Sequence, residues 1–214
     1  MKQMCRTNNQ SGRSMIEMLG VLAIIGVLSV GGIAGYSKAM MKFKINKTID
    51  QISQMVANTR TLYARQRNYG NLNEKVAYKA NLAPREMFEG GSGDYSMTHP
   101  FGGNISIFST GRKNDVDNRA FGITVYGLPE EACIELVTQD WGDTSSSGLL
   151  SVGINSGVIL GAYEGCDGQS ATWETYACPN GNNVATPMPI DVAVTGCDAC
   201  SSLYGSCSLS LRFY

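Results

Sequence analysis

Charged side chains are scarce in this sequence of 214 residues. They make up 16% of it, with 17 Lys and Arg against 18 Asp and Glu and a net charge of −1 at pH 7. A protein dedicated to nucleic-acid binding usually carries a basic face. The few and balanced charges of this sequence do not favour such a face.

Motifs of enzyme chemistry are also missing. The sequence has no Gly-rich phosphate-binding loop and no Gly-x-Ser-x-Gly motif. Its single histidine, His99, has no Ser, Cys or Asp arranged with it as a nucleophile, base and orienting group, so we expect an ordinary loop histidine. We therefore predict that the protein is not an enzyme and holds no cofactor.

Proline is absent from residues 14–68, the first one being Pro84. This stretch predicts one helix of about 80 Å. Its first half, residues 15–39, is apolar around the whole circumference and about long enough to cross a bilayer. Its second half carries an apolar stripe, widened by Met55 and Leu62, that we expect to pack on a globular domain. The stripe consists of Ile45, Ile49, Ile52, Val56, Thr59 and Tyr63.

Acidic residues are absent from residues 1–12, and one carboxylate, Glu17, precedes the uncharged run 18–37. A carboxylate at the start of a membrane-length apolar segment is costly to bury, so we expect it to serve a partner. A secretory signal peptide has its apolar region before the cleavage site. Here a cut after Gly12 would remove the basic leader and keep the apolar segment on a mature chain that starts at Arg13.

This order, with Glu17 at the fifth position after Gly12, resembles the type IV prepilin signal. The resemblance implies cleavage between Gly12 and Arg13 by a prepilin peptidase, and N-methylation at Arg13. Arg13 departs from the family, whose mature chain usually starts with an apolar residue. The resemblance also implies that Glu17 pairs with the α-amino group of a neighbouring subunit, while the apolar helices assemble into a filament through pilus assembly machinery.

Past Tyr69 the sequence becomes rich in Gly, Asn, Ser and Thr, and residues 88–103 are expected to form a loop. Residues 128–137 predict a helix with Pro129 at its first position. The passage 122–133, a strand followed by a helix with a cysteine, resembles the head of type IVb pilins. Short strands are predicted at 104–108, 121–126, 149–154, 157–163, 191–195 and 208–213.

The predicted fold class is therefore α+β. A long N-terminal helical spine, half of it membrane-inserted and half amphipathic, would pack on an antiparallel β-sheet head with disulfides. The expected divisions are a leader at 1–12, an apolar membrane and filament-core helix at 13–43, and an extracytoplasmic head at 44–214.

Cysteine usage is split, because Cys5 lies in the leader and the other six cysteines lie in the C-terminal half. Losing the leader leaves an even number, as a disulfide framework in an oxidising compartment needs. Cys197 and Cys200 form a Cys-x-x-Cys motif, but a redox site lacks its usual βαβ context and a zinc site lacks ligands, so structural disulfides are favoured. Fifteen pairings stay open among Cys133, Cys166, Cys178, Cys197, Cys200 and Cys207.

A metal site is not expected elsewhere. Asp115 and Asp117 present oxygens that suit calcium, but the segment lacks the spacing and the later glutamate of an EF-hand loop, so a solvated turn is favoured.

The resemblance implies a subunit of a type IV pilus-like filament, inserted in the bacterial inner membrane as a precursor and extracellular after assembly. Its partners would be further copies of itself, the peptidase and the assembly machinery. Two alternatives stay open: a minor pilin or secretion pseudopilin, and a membrane-tethered extracytoplasmic binding module. The sequence does not choose among adhesion, motility, conjugation and DNA uptake, and it indicates no particular surface receptor, host receptor or DNA partner.

Overall fold

The computed structural model describes residues 15–89, 93, 95–110, 118–142, 147–155, 175–177 and 187–214. The chain divides into two units, Met1–Lys42 and Phe43–Tyr214. The described helices are α1 (Met15–Tyr63), α2 (Glu74–Lys79), α3 (Glu130–Val137) and α4 (Ile190–Tyr204). The strands are β1 (Met97–Thr98), β2 (Asn104–Thr110), β3 (Ala120–Leu128), β4 (Leu149–Asn155), β5 (Thr175–Ala177) and β6 (Cys207–Phe213).

Helix α1 is the long helix that the missing prolines predict, with 49 residues. It ends at Tyr63 rather than near residue 68, because the chain turns back there. The Tyr63 carbonyl accepts from the Gln66 N–H at 2.8 Å, and Asn71 takes a positive φ of 64°. The Tyr69 N–H then donates to the Asn118 carbonyl at 2.8 Å, which holds the returning chain against the lead-in to β3.

The second half of α1 buries one stripe inside the unit Phe43–Tyr214. The prediction is confirmed at Ile45, Ile52, Met55, Thr59 and Tyr63, which are buried. Three positions of the predicted stripe are less buried: Ile49 and Val56 are only half-buried, and Leu62 is 41% exposed. The centre of the buried face is instead completed by Thr48 and Gln51, two polar residues that apolar periodicity does not select.

Within the described residues the sheet has six strands in the order β1-β2-β3-β6-β4-β5, and every neighbouring pair is antiparallel. The last strand, β6, therefore lies between β3 and β4 and is buried along its whole length. Phe121 of β3 lies opposite Phe213 of β6, and their stacked rings are 5.5 Å apart between centroids. The predicted α+β class, a long helix with an antiparallel sheet and a disulfide, is confirmed.

Four predicted strands are confirmed as β2, β3, β4 and β6. The predicted strand at 157–163 lies outside the described residues. The expected loop at 88–103 contains the two-residue strand β1. The helix predicted at 128–137 is confirmed as α3, although Pro129 is its N-cap with an extended ψ of 154° rather than its first helical residue.

The predicted strand at 191–195 is wrong, since these residues lie in helix α4. Residues 191–195 are β-prone, but Ala193 and Cys197 are both buried, and their four-residue spacing is helical. Pro189 precedes the helix and Asp191 lies in its first turn. Gly205 ends it with a φ of 73°, a left-handed conformation that favours glycine.

Candidate assembly site

The apolar half of α1 is the most conspicuous candidate for a functional surface. Within the described residues it is the one helix with the length and apolarity to cross a membrane. Its best 18-residue window has a mean hydropathy of 2.2, and none of that window is buried. The large exposed side chains include Met15, Ile16, Leu19, Leu22, Val27, Leu28, Val30 and Ile33. An apolar surface of this extent calls for a membrane or a partner.

Polar groups in this segment are few, and most of them are used within the helix. The Ser29 hydroxyl donates to the Ile25 carbonyl at 2.7 Å, and the Ser37 hydroxyl donates to the Ile33 carbonyl at 3.0 Å. Glu17 is exposed, and it is the only charged residue from the start of α1 to Ser37. Its carboxylate is thus the one group between Met15 and Ser37 that can specify a charged partner.

Glycines recur in the same segment without a visible reason in the single chain. A Cβ added at Gly20, Gly26, Gly31, Gly32 or Gly35 would meet no atom within 4 Å in the part of the chain that is described. Glycine in a helix costs about 1 kcal/mol relative to alanine. Close approach of another helix would explain five such positions, because small residues let backbones pack tightly in apolar surroundings.

Polar contacts tie the second half of α1 into the unit Phe43–Tyr214. The Lys47 ammonium lies 3.0 Å from the Glu86 carboxylate, which also accepts from the Gln51 side chain at 3.3 Å. These hydrogen bonds, with the charge of Lys47, lower the pKa of Glu86 below its usual value. Further along the helix, Arg60 donates to the Ser147 carbonyl at 2.8 Å.

A disulfide between Cys133 and Cys197 joins α3 to α4, and both residues are fully buried. Cys207 is also disulfide-bonded, and its Sγ lies 3.1 Å from the Cys197 carbonyl oxygen. Because Cys197 is bonded to Cys133, it cannot form a redox pair with Cys200 or offer a thiolate to zinc. Spacing alone could not have found this pairing, since the partners are 64 residues apart.

Other predicted site residues lie outside the described part of the chain. These are Gly12 and Arg13 at the expected cleavage site, the cysteines Cys166 and Cys178, the side chain of Cys200, and Asp115 and Asp117. Within the described ranges, no three His, Cys, Asp or Glu residues come together as metal ligands.

His99 follows β1 in a loop, as expected, but its ring is buried and has a structural role. Its Nε2–H donates to the Tyr126 carbonyl at 2.7 Å, and its Nδ1 accepts from the Phe101 N–H at 3.3 Å. Burial lowers the pKa of His99, partly opposed by the hydrogen bond to Tyr126. A side chain on Gly103 would collide with the Tyr126 carbonyl and the His99 ring, so this glycine is the sequence signal for the packed loop.

A protein-family model described as bundlin matches residues 38–186, which is more than half of the chain. The chain belongs to the bundlin family. Two toxin coregulated pilins are similar to this chain. One, from Vibrio cholerae serotype O1 El Tor Inaba, is 32% identical over 137 residues, and one from Vibrio cholerae is 30% identical over 135 residues. Each alignment covers 62% of this chain and 59% of the relative, so the match spans about three fifths of the relatives' length.

A solved structure has a similar fold. The crystal structure of TcpA, a type IV pilin from the Vibrio cholerae El Tor biotype, matches with a TM-score of 0.50 and 18% identity. The match covers 82% of this chain and 99% of the TcpA chain. The family match, the pilin relatives and this structure together support the fold of a type IV pilin.

Proposed function

We propose that this protein is a structural subunit of a type IV pilus-like extracytoplasmic filament, and not an enzyme. The observation that carries the proposal is the apolar half of α1, wholly exposed in a single pilin chain. In the filament, copies of this helix would cover one another, and the unit Phe43–Tyr214 would form the outer surface.

The proposed role of Glu17 is to set the register between neighbouring helices. Its carboxylate would pair with the α-amino group that cleavage frees at Arg13 of an adjacent copy. A charge taken out of water is strongly penalised unless it finds its partner, so the pair favours one axial position over others. The glycines of the segment would let the backbones approach closely enough for this contact.

The proposed maturation of the subunit has two stages. The precursor would insert the apolar half of α1 in the bacterial inner membrane, with the leader 1–12 on the cytoplasmic side. A prepilin peptidase would then cut between Gly12 and Arg13, and the pilus assembly machinery would move the mature subunit into an extracellular filament. N-methylation at Arg13 belongs to the same proposal.

Filaments sheared from cells provide the test. The protein should be the abundant component of the sheared fraction, and its N-terminal sequence and intact mass should begin at Arg13. A trace amount would favour a minor pilin or pseudopilin. Intact protein that stays in the membrane fraction would favour a tethered binding module. A mature chain that has lost the apolar segment would overturn the filament proposal.

A further inference from the structure

A cavity lies at the carboxyl end of α1, on the unit Phe43–Tyr214. Its volume is about 610 Å³, within the range of about 300–1,000 Å³ that is usual for small-ligand pockets. The last turn of α1, the chain from Gln66 to Tyr69, the lead-in to β3 and the end of β6 supply its walls. None of its lining residues belongs to the apolar segment that the proposed filament uses, so it calls for a separate explanation.

The lining is basic. Among the lining residues that the structure describes there are three arginines, Arg60, Arg67 and Arg119, and no Asp or Glu. Arg67 is exposed, and it makes no hydrogen bond or ion pair with any described residue. Guanidinium groups bind carboxylate, sulfate and phosphate through paired N–H groups, so a cavity with several of them favours an oxyanion.

The walls are held in place, as a binding site requires. The Arg60 guanidinium donates to the Ser147 carbonyl at 2.8 Å, which fixes its direction. The Tyr69 ring lies between Tyr63 and Phe121, with centroid distances of 5.1 and 4.8 Å. Its backbone N–H is bonded to the Asn118 carbonyl, so the loop that carries Arg67 is anchored at Tyr69.

Uncharged polar groups complete the lining. Tyr214, which is exposed, offers a phenol group and a ring face, while Gln66 and Asn68 offer amides and the packed rings of Tyr63 and Tyr69 form the wall behind them. Such groups suit the hydroxyls and ring of a sugar-sized molecule, because tyrosine combines an apolar face with a hydroxyl that can donate and accept. The volume is too small for a folded protein segment and too large for a bare ion alone.

We propose that this cavity binds a small hydroxylated organic anion of about the size of an acidic monosaccharide, with its oxyanion held by Arg60 and Arg67. The charged group is a carboxylate, a sulfate or a phosphate, and the exposed ring of Tyr214 contacts the ring of the ligand. This property is independent of filament formation, because no residue of the apolar segment takes part.

The test is a titration of the full-length protein in non-ionic detergent, followed by calorimetry and tyrosine fluorescence. Glucuronate is the probe, glucose is the uncharged control, and inorganic sulfate serves as a competitor. We expect saturable 1:1 binding of glucuronate, competition by sulfate, and no saturation with glucose. Raising sodium chloride from 50 to 500 mM should weaken the binding, because salt screens partly exposed charges.

Two arginines only two positions apart provide matched variants. Arg67 lines the cavity, whereas Arg65 is exposed and does not line it. Arg67→Gln should weaken glucuronate binding about tenfold or more, as expected for loss of a charged hydrogen-bonding group. Arg65→Gln should change it less than about twofold. Arg60→Gln should also weaken binding, with circular dichroism as a check because it loses the bond to Ser147.

Three results would overturn the proposal. One is the absence of saturable binding by glucuronate and by sulfate. Another is an equal loss of affinity in the Arg65 and Arg67 variants, which would indicate general attraction to positive charge. The third is equal affinity for glucose and glucuronate. Filament yield, measured on the same variants, should stay unchanged, so failure here is distinguishable from failure of the proposed filament function.

Discussion

Glu17 is exposed, and it is the only charged residue between Met15 and Ser37. If its carboxylate sets the register between copies, Glu17→Ala should leave the protein folded and inserted in membranes while sharply reducing the yield of sheared filaments. Removing it leaves the neighbour's α-amino group without its counter-charge in apolar surroundings.

Ser29→Ala is the matched control for this prediction. Ser29 is another polar residue of the same segment, but its hydroxyl is already bonded to the Ile25 carbonyl of its own helix. It should therefore leave the yield unchanged. Filaments of normal yield from the Glu17 variant would show that this carboxylate only lies at the water–membrane boundary.

His99 predicts a pH dependence of stability. Burial lowers its pKa in the folded state, while in the unfolded state it titrates near its usual value of about 6.5. The unfolded chain thus binds the proton more readily, so the free energy of unfolding should be constant above about pH 7 and fall as the pH drops below 6.5. The slope is limited to about 1.4 kcal/mol for each pH unit.

Denaturant unfolding between pH 7.5 and pH 5.5 measures this slope. His99→Gln retains a side-chain N–H for the Tyr126 carbonyl but does not titrate, so its slope should be smaller. His99 is the only histidine in the sequence, which makes the assignment direct. Equal slopes in the two proteins would show that the buried ring is not responsible.

At the scale of elements, the disulfide between α3 and α4 predicts a large stabilisation. It closes a loop whose ends are 64 residues apart, and restricting such a loop in the unfolded chain is worth about 4 kcal/mol. The double variant Cys133→Ala, Cys197→Ala should lose about that much free energy of unfolding in denaturant titrations.

Thr195→Ala is a suitable control on the same helix. Thr195 is exposed and its hydroxyl bonds only to the Asp191 carbonyl within α4, so its loss should cost less than about 1 kcal/mol. A loss below 1 kcal/mol in the cysteine variant as well would mean that the unfolded chain is already constrained without this bond.

Elements marked by a strong local sequence pattern could be predicted from the sequence. Elements whose conformation depends on contacts between distant residues could not. Helix α1 follows from the absence of proline, and α3 follows from Pro129 and the acids after it. Helix α4 begins with a β-prone run, residues 191–195, for which the sequence predicts a strand. What decides its conformation is the burial of Ala193 and Cys197, which depends on α3 and the disulfide.

The features of the candidate sites also differ in whether they could be predicted from the sequence. The exposed apolar segment could be predicted, because its evidence is local and lies in consecutive residues, while the role of Glu17 stays a prediction. The partner of Cys197, the buried ring of His99 and the arginine-lined cavity depend on residues that meet only in the folded chain. The meeting of Arg60 with Arg119, for example, requires the end of α1 and the lead-in to β3 to come together.

At the scale of the whole molecule, a protein that begins at Lys44 should be a soluble monomer. The buried stripe from Ile45 to Tyr63 packs within the unit Phe43–Tyr214, and the pair of Lys47 with Glu86 remains available to hold it. The exposed apolar half, which has use only in a membrane or among other copies, would be gone.

Sedimentation and circular dichroism decide this prediction, with the full-length protein in detergent as the reference. A folded monomer with an intact sheet is the expected result. Filaments from the shortened protein would show that the second unit assembles without the apolar helix. An unfolded or aggregated product would place the boundary of the second unit elsewhere.

The bond between Cys133 and Cys197 also sets a mechanical limit on the molecule. Strands β4 and β5 lie inside the ring that it closes, whereas β1, β2, β3 and β6 lie outside. When the chain is pulled by its two ends, all strand pairing can therefore be lost while the loop closed by the disulfide stays unextended. At about 3.5 Å per residue, the disulfide keeps about 220 Å of chain from extending, and a reducing agent would release that length.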